Sequence, residues 1–124
     1  MIIGTGCDIT DITRIERALA RFGTHFSQKI LTLDEQKSAH GKPAQYLAGR
    51  FAAKEAAVKA LGTGFRRGIW FTEIQILINP LGAPTLSFLG KAASLTQELG
   101  VLKTHVSISH EQHYALAFVV LEGN

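Results

Sequence analysis

Two carboxylates stand in settings that favour chemistry over packing. Asp8 ends the run Gly4-Thr5-Gly6-Cys7-Asp8. Glu55 lies within Arg50-Phe51-Ala52-Ala53-Lys54-Glu55-Ala56-Ala57-Val58-Lys59, followed by Ala60-Leu61-Gly62-Thr63-Gly64. Two hard oxygen ligands from different segments, completed by water and substrate phosphates, suit Mg²⁺. A cation held by Asp8 and Glu55 would neutralise and orient a phosphate-bearing substrate. Lys59 then has a role in charge stabilisation or proton transfer. The plainer alternatives are that Asp8 caps a helix and that Lys59 pairs with Glu55 at i+4, worth about 0.2–0.5 kcal/mol.

Ser107-Ile108-Ser109-His110 supplies further polar groups. Neighbours on a strand point to opposite faces, so His110 is poorly placed to activate Ser109. The pair reads as phosphate or substrate contacts, or else as a polar strand end. His113 falls in the following turn. Cys7 lies on the face opposite Asp8 and reads as a buried small hydrophobe.

The elements that must position these groups follow from pattern. Residues 2–9 predict a strand, whose period of two places Gly4, Gly6 and Asp8 on one face. Missing side chains beside a carboxylate leave room for a ligand or another backbone. Residues 11–22 predict an amphipathic helix ended by Gly23, with Ile12, Ile15, Leu19 and Phe22 on one face. Arg14, Arg17 and Arg21 form a stripe roughly opposite, either a solvated face or a dock for an acidic protein. Thr32-Leu33-Asp34-Glu35 matches a capping box opening a short helix to about His40. Residues 41–45 read as a loop before a long helix from Gln45 to Leu61. Its stripe is Leu47, Phe51, Val58 and Leu61, with Glu55 at the border and therefore partly solvated. Gly62 is the expected left-handed cap, and Gly62-Thr63-Gly64 is a weaker candidate for phosphate contact.

Residues 69–78 predict a strand, 79–84 a turn and 85–88 the returning strand. A helix over 91–99 stops at Gly100, and 104–110 with 114–121 form a terminal hairpin. Helices and strands do not alternate regularly. The expected class is therefore α+β with a mostly antiparallel sheet packed against helices.

The 124 residues are expected to form one domain, 1–124. With 46% hydrophobic and 19% charged residues the composition is that of an ordinary globular protein. A single cysteine excludes an intrachain disulfide framework and a multi-cysteine zinc site, and fits a reducing cytoplasm. No apolar run reaches the roughly 20 residues of a membrane span, and no signal-like segment opens the chain, so a soluble, unexported protein is expected. A net charge of +3 permits an acidic partner without choosing one. No zinc finger, aromatic ribonucleoprotein motif or clear helix-turn-helix supports nucleic-acid binding.

Three blocks taken together resemble one family. They are Ile3-Gly4-Thr5-Gly6-Cys7-Asp8-Ile9 with Arg14-Ile15, then Arg50 through Glu55-Ala56 and on to Lys59 and Gly64, then Val106-Ser107-Ile108-Ser109-His110 with Tyr114-Ala115. In order and spacing they are similar to the bacterial holo-[acyl-carrier-protein] synthases, the short, single-module 4′-phosphopantetheinyl transferases. The resemblance spans essentially the whole chain. It implies transfer of 4′-phosphopantetheine from coenzyme A to a serine of apo-acyl carrier protein, in support of fatty acid biosynthesis. Adenosine 3′,5′-bisphosphate leaves.

The same resemblance implies Mg²⁺ on Asp8 and Glu55, with Lys59 as the third catalytic group. The base that activates the carrier serine stays open among a metal-bound water, Glu55 and Lys59. Arg50, Gly62, Thr63, Gly64, Ser109 and His110 are implied as coenzyme A contacts. The helix of Arg14, Arg17 and Arg21 is implied to dock the carrier protein, and a homotrimer to place each site between subunits. Two positions depart from the family's pattern. Ala83 stands where a lysine is frequent, and Cys7 replaces the commoner threonine.

Overall fold

The computed structural model describes residues 1–66 and 68–124. In chain order the elements are β1 (Ile2–Asp11), α1 (Ile12–Phe22), α2 (Thr24–Ile30), α3 (Leu33–Lys37) and α4 (Pro43–Leu61). A 3₁₀ turn (Phe71–Glu73), β2 (Ile74–Ile78), β3 (Pro84–Phe88), α5 (Gly90–Leu99), β4 (Lys103–His110) and β5 (Tyr114–Glu122) follow. The strands form an antiparallel sheet in the order β1-β5-β4 and an antiparallel hairpin β2-β3. The Thr104 hydroxyl donates to the Leu86 carbonyl at 2.8 Å and ties the hairpin to β4. This is the expected α+β architecture.

Helix α4 is the axis of the molecule. Its alanines at 52, 53, 56, 57 and 60 are buried against Val119 and Leu121 of β5 and Ile74 and Ile76 of β2. Their small size lets the helix backbone approach β1 at contact distance. A Cβ on Gly4 would collide with the Ala60 carbonyl oxygen, and one on Gly6 with that of Ala56. The strand glycines are therefore explained by a second backbone, one of the two readings their spacing allowed.

Burial runs almost all round α4 rather than along one stripe, and Phe51 is only partly buried. The helix starts at Pro43, two residues before the expected Gln45, because proline's fixed φ and missing N–H suit the first turn. Gly62 closes it in the left-handed region at φ 82°.

Elsewhere the expectations hold with local corrections. Asp11 caps α1 by accepting from Thr13 N at 2.8 Å. Ile12 and Ile15 are buried, whereas Phe22 lies exposed beyond the packed stretch. The capping box at Thr32 and Glu35 is present, but α3 ends at Lys37 rather than about His40. Helix α2 was not expected. It follows directly on Gly23, and its Phe26 and Ile30 pack into the second core with Ile12, Ile15 and Leu47. Residues 69–73 are not strand: Ile69 and Phe71 turn into the core, and Trp70 N donates to Glu73 Oε1 at 3.2 Å.

Candidate active site

The face of β1 that meets α4 carries Gly4, Gly6, Asp8 and Thr10 in succession. Where the glycines end, the helix and strand part and a cleft of about 440 Å³ opens. Asp8, Thr10, Arg14, Phe51 and Glu55 are among its lining residues. The two carboxylates singled out from sequence thus meet, one from β1 and one from α4.

Asp8 is held from two sides. Lys59 Nζ donates to Oδ1 at 3.1 Å, and the Thr10 hydroxyl donates to Oδ2 at 3.0 Å. Lys59 Nζ also donates to the Cys7 carbonyl at 2.9 Å. The lysine therefore reaches across to β1 instead of forming a hydrogen-bonded i+4 pair with Glu55. Among the described residues Glu55 makes no hydrogen bond. Burial, and then the negative charge of Asp8, raise its pKa above the ordinary carboxylate range, with Lys59 pulling weakly the other way.

This electrostatic pattern bears on a metal. Two neighbouring carboxylates, one with raised proton affinity, offer hard oxygens and surplus negative charge. No cluster of three or more metal-ligating side chains occurs among the described residues. Magnesium requires none, since it commonly takes one or two carboxylates and fills its shell with water and phosphate oxygens. The pair Asp8 and Glu55 fits such an ion.

The remaining candidates are placed as follows. Arg14, Arg17 and Arg21 are exposed along α1, with Arg14 at the cleft itself. Arg50 is buried, its guanidinium 4.1 Å from the Tyr46 ring centroid and its Nε without a partner among the described residues. The N–H groups of Gly62, Thr63 and Gly64 all turn back to the Val58 carbonyl. The Thr63 hydroxyl donates to Gly64 O at 2.7 Å, so this turn directs its donors inward.

Ser109 aligns with Leu116 and, through it, with Ile9. That row faces away from α4, so Ser109 and Asp8 project from opposite faces of the sheet. His110 aligns with Ala115 and Thr10, on the Asp8 face but two strands away. Cys7, expected to be buried, is exposed on the outer face. Ala83 lies in the exposed tip of the β2-β3 hairpin. Sequence reasoning missed Thr10, although its two-residue offset from Asp8 puts both on one face.

Comparison with known proteins shows the family. Residues 4–119 match the family model described as the 4′-phosphopantetheinyl transferase superfamily. The chain is 53% identical over 123 residues to the holo-[acyl-carrier-protein] synthase of Maridesulfovibrio salexigens, covering 98% of this chain and 99% of the relative. The crystal structure of the Neisseria meningitidis synthase superposes with a TM-score of 0.90 at 44% identity, covering 98% of this chain and 99% of that one. The Helicobacter pylori synthase in complex with coenzyme A superposes with a TM-score of 0.85 at 31% identity, over 95% and 99% of the two chains. The chain belongs to the holo-[acyl-carrier-protein] synthase family of the 4′-phosphopantetheinyl transferase superfamily.

Proposed function

We propose that this protein transfers 4′-phosphopantetheine from coenzyme A to a serine of apo-acyl carrier protein, with Asp8, Glu55 and Lys59 as its catalytic groups. The observation that carries the reading is the convergence of Asp8 and Glu55 in one cleft, beside Lys59 and the exposed Arg14. In the reaction a serine Oγ–P bond forms, and the P–O bond to adenosine 3′,5′-bisphosphate breaks. The serine proton must leave, and negative charge on the departing phosphate must be held.

Asp8 and Glu55 would hold Mg²⁺, which when bound supplies charge neutralisation at the phosphates. Lys59, which donates to Asp8 and Cys7 O, would hold charge on the phosphates rather than receive a proton. Glu55, with no hydrogen bond of its own among the described residues, is the acceptor the cleft offers to the serine hydroxyl. Thr10 keeps the Asp8 carboxylate oriented. Arg14, Arg17 and Arg21 present positive charge to an acidic carrier surface at the mouth of the cleft. Arg50 brings a buried cation whose Nε has no partner among the described residues, and it suits a phosphate. Gly62, Thr63 and Gly64 contribute shape rather than donors.

A trimer with sites between subunits accounts for two further features. The outer sheet face exposes Ile9, Leu116 and Phe118 together, an apolar surface that a second copy would cover. Ser109 lies on that face and cannot reach the Asp8 cleft of its own chain, but it is available to a neighbour's. The reading includes action in the cytoplasm as a step of fatty acid biosynthesis. Asp8→Ala and Glu55→Ala test the site: each should abolish transfer with the fold intact. Normal turnover with a normal metal requirement in either variant would refute the assignment.

A further inference from the structure

One ion pair lies wholly inside the protein and has no part in the reaction as derived above. Lys54 and Glu35 are both fully buried, with Nζ 2.6 Å from Oε1. The lysine also donates to the Ile30 carbonyl at the end of α2. The same carboxylate accepts from Thr32 N and, through Oε2, from Ile76 N, each at 2.8 Å. The pair therefore joins α4 to the ends of α2 and α3 and to β2.

Lys54 immediately precedes Glu55 on α4, about 100° away around the helix. The flank that packs on β1 and β5 is lined by alanines, whose short side chains form shallow ridges and resist axial rotation weakly. The glycines of β1 fix how near the helix approaches, through Ala56 O and Ala60 O. They do not by themselves fix its turn about its own axis. A buried charge pair does so strongly, because any rotation that separates Lys54 from Glu35 leaves two ions without partners or solvent.

We infer that the Lys54–Glu35 pair is a positioning device that sets the axial rotation of α4 and so aims Glu55 and Lys59 at Asp8. Lys54 and Glu35 are positioning residues, since neither reaches the cleft. The inference rests on the transferase reading for its activity readout.

The test is a pair of variants, E35Q and K54M, each made in the wild-type and Lys59→Ala backgrounds. Single-turnover transfer to apo-acyl carrier protein would be followed by intact mass, per mole of folded enzyme. A misaimed cleft costs about 10- to 100-fold in rate, with the coenzyme A KM within about twofold. In the Lys59→Ala background the same variants should cost clearly less than in wild type, because one of the two groups they aim is gone while Glu55 is still misaimed. A merely structural pair predicts lower thermal stability with the rate per folded molecule unchanged, or equal losses in both backgrounds, and either result overturns the inference. E35Q turns one acceptor oxygen into a donor that faces Ile76 N, or Thr32 N and Lys54 Nζ, so the double variant E35Q/K54M, which leaves no unpaired buried ion, decides the matter if a single variant does not fold. Absence of transfer by wild-type enzyme would instead indict the transferase reading, separately from the pair.

Discussion

Lys59 Nζ lies 3.1 Å from Asp8 Oδ1, bridging α4 and β1. The lysine five residues before it on the same helix is spent on a buried partner, so the two lysines of the helix serve different ends. Lys59 is half exposed and Asp8 largely covered, so the bond itself adds little stability. Its value is orientation. Lys59→Ala should lower the transfer rate by about 100-fold while the melting temperature stays nearly constant. A rate within threefold of wild type would remove Lys59 from the catalytic set.

The raised proton affinity of Glu55 has a stability consequence in metal-free protein. A carboxylate whose folded-state pKa lies above its unfolded value binds protons more readily when folded. Stability then falls as pH rises from the unfolded value through the folded one. At neutral pH Glu55 is therefore a cost to the fold. Glu55→Gln should melt higher than wild type at pH 7 to 8 without Mg²⁺, with the gap closing in acid, while losing transfer activity. A variant that melts lower at every pH would contradict the electrostatic account.

Gly6 was legible in the sequence as a position needing space, and the structure shows that the Ala56 carbonyl fills it. Gly6→Ala forces the strand and helix apart and should destabilise the protein by at least about 2 kcal/mol in denaturant unfolding. A cost under about 0.5 kcal/mol would mean that the β1–α4 approach is looser than described.

Much of the site was readable because short-range rules govern it. The period of two on β1 placed Asp8 with the glycines, and the left-handed cap at Gly62 and the box at Thr32 were set by local chemistry. What escaped depends on distant partners. Lys54 and Arg50 look like solvated charges in a helix, yet Lys54 is buried because Glu35, nineteen residues away, meets it. The stripe argument for α4 presumes one wet side, and that helix has almost none. Helix α2 has weak local propensity in Thr24-His25-Phe26-Ser27 and exists because Phe26 and Ile30 find a core. Cys7 shows the opposite failure, since a strand that alternates need not be covered on both faces.

The docking proposal separates two affinities. Arg14→Glu should weaken carrier binding at least about 10-fold at low salt while coenzyme A binding changes less than twofold, with the carrier difference shrinking as salt rises. Equal loss of both, with the fold intact, would move Arg14 from the docking surface to the nucleotide site.

The outer sheet face makes the assembly testable. If the proposed trimer forms through this face, Phe118→Glu places a charge in its apolar centre and should shift the protein from trimer to monomer in light scattering, with loss of transfer. A fully active monomer would rule out sites built between subunits.

The most direct measurement is the intact mass of an apo-acyl carrier protein after incubation with this protein, coenzyme A and Mg²⁺, beside a chelator control. The account predicts a gain of one phosphopantetheine on the carrier, lost when the metal is chelated. No gain with several carriers and verified folded, trimeric protein would contradict it and leave Asp8 and Glu55 as structural carboxylates of a binding module. A gain that survives chelation would keep the transferase and reject the metal pair.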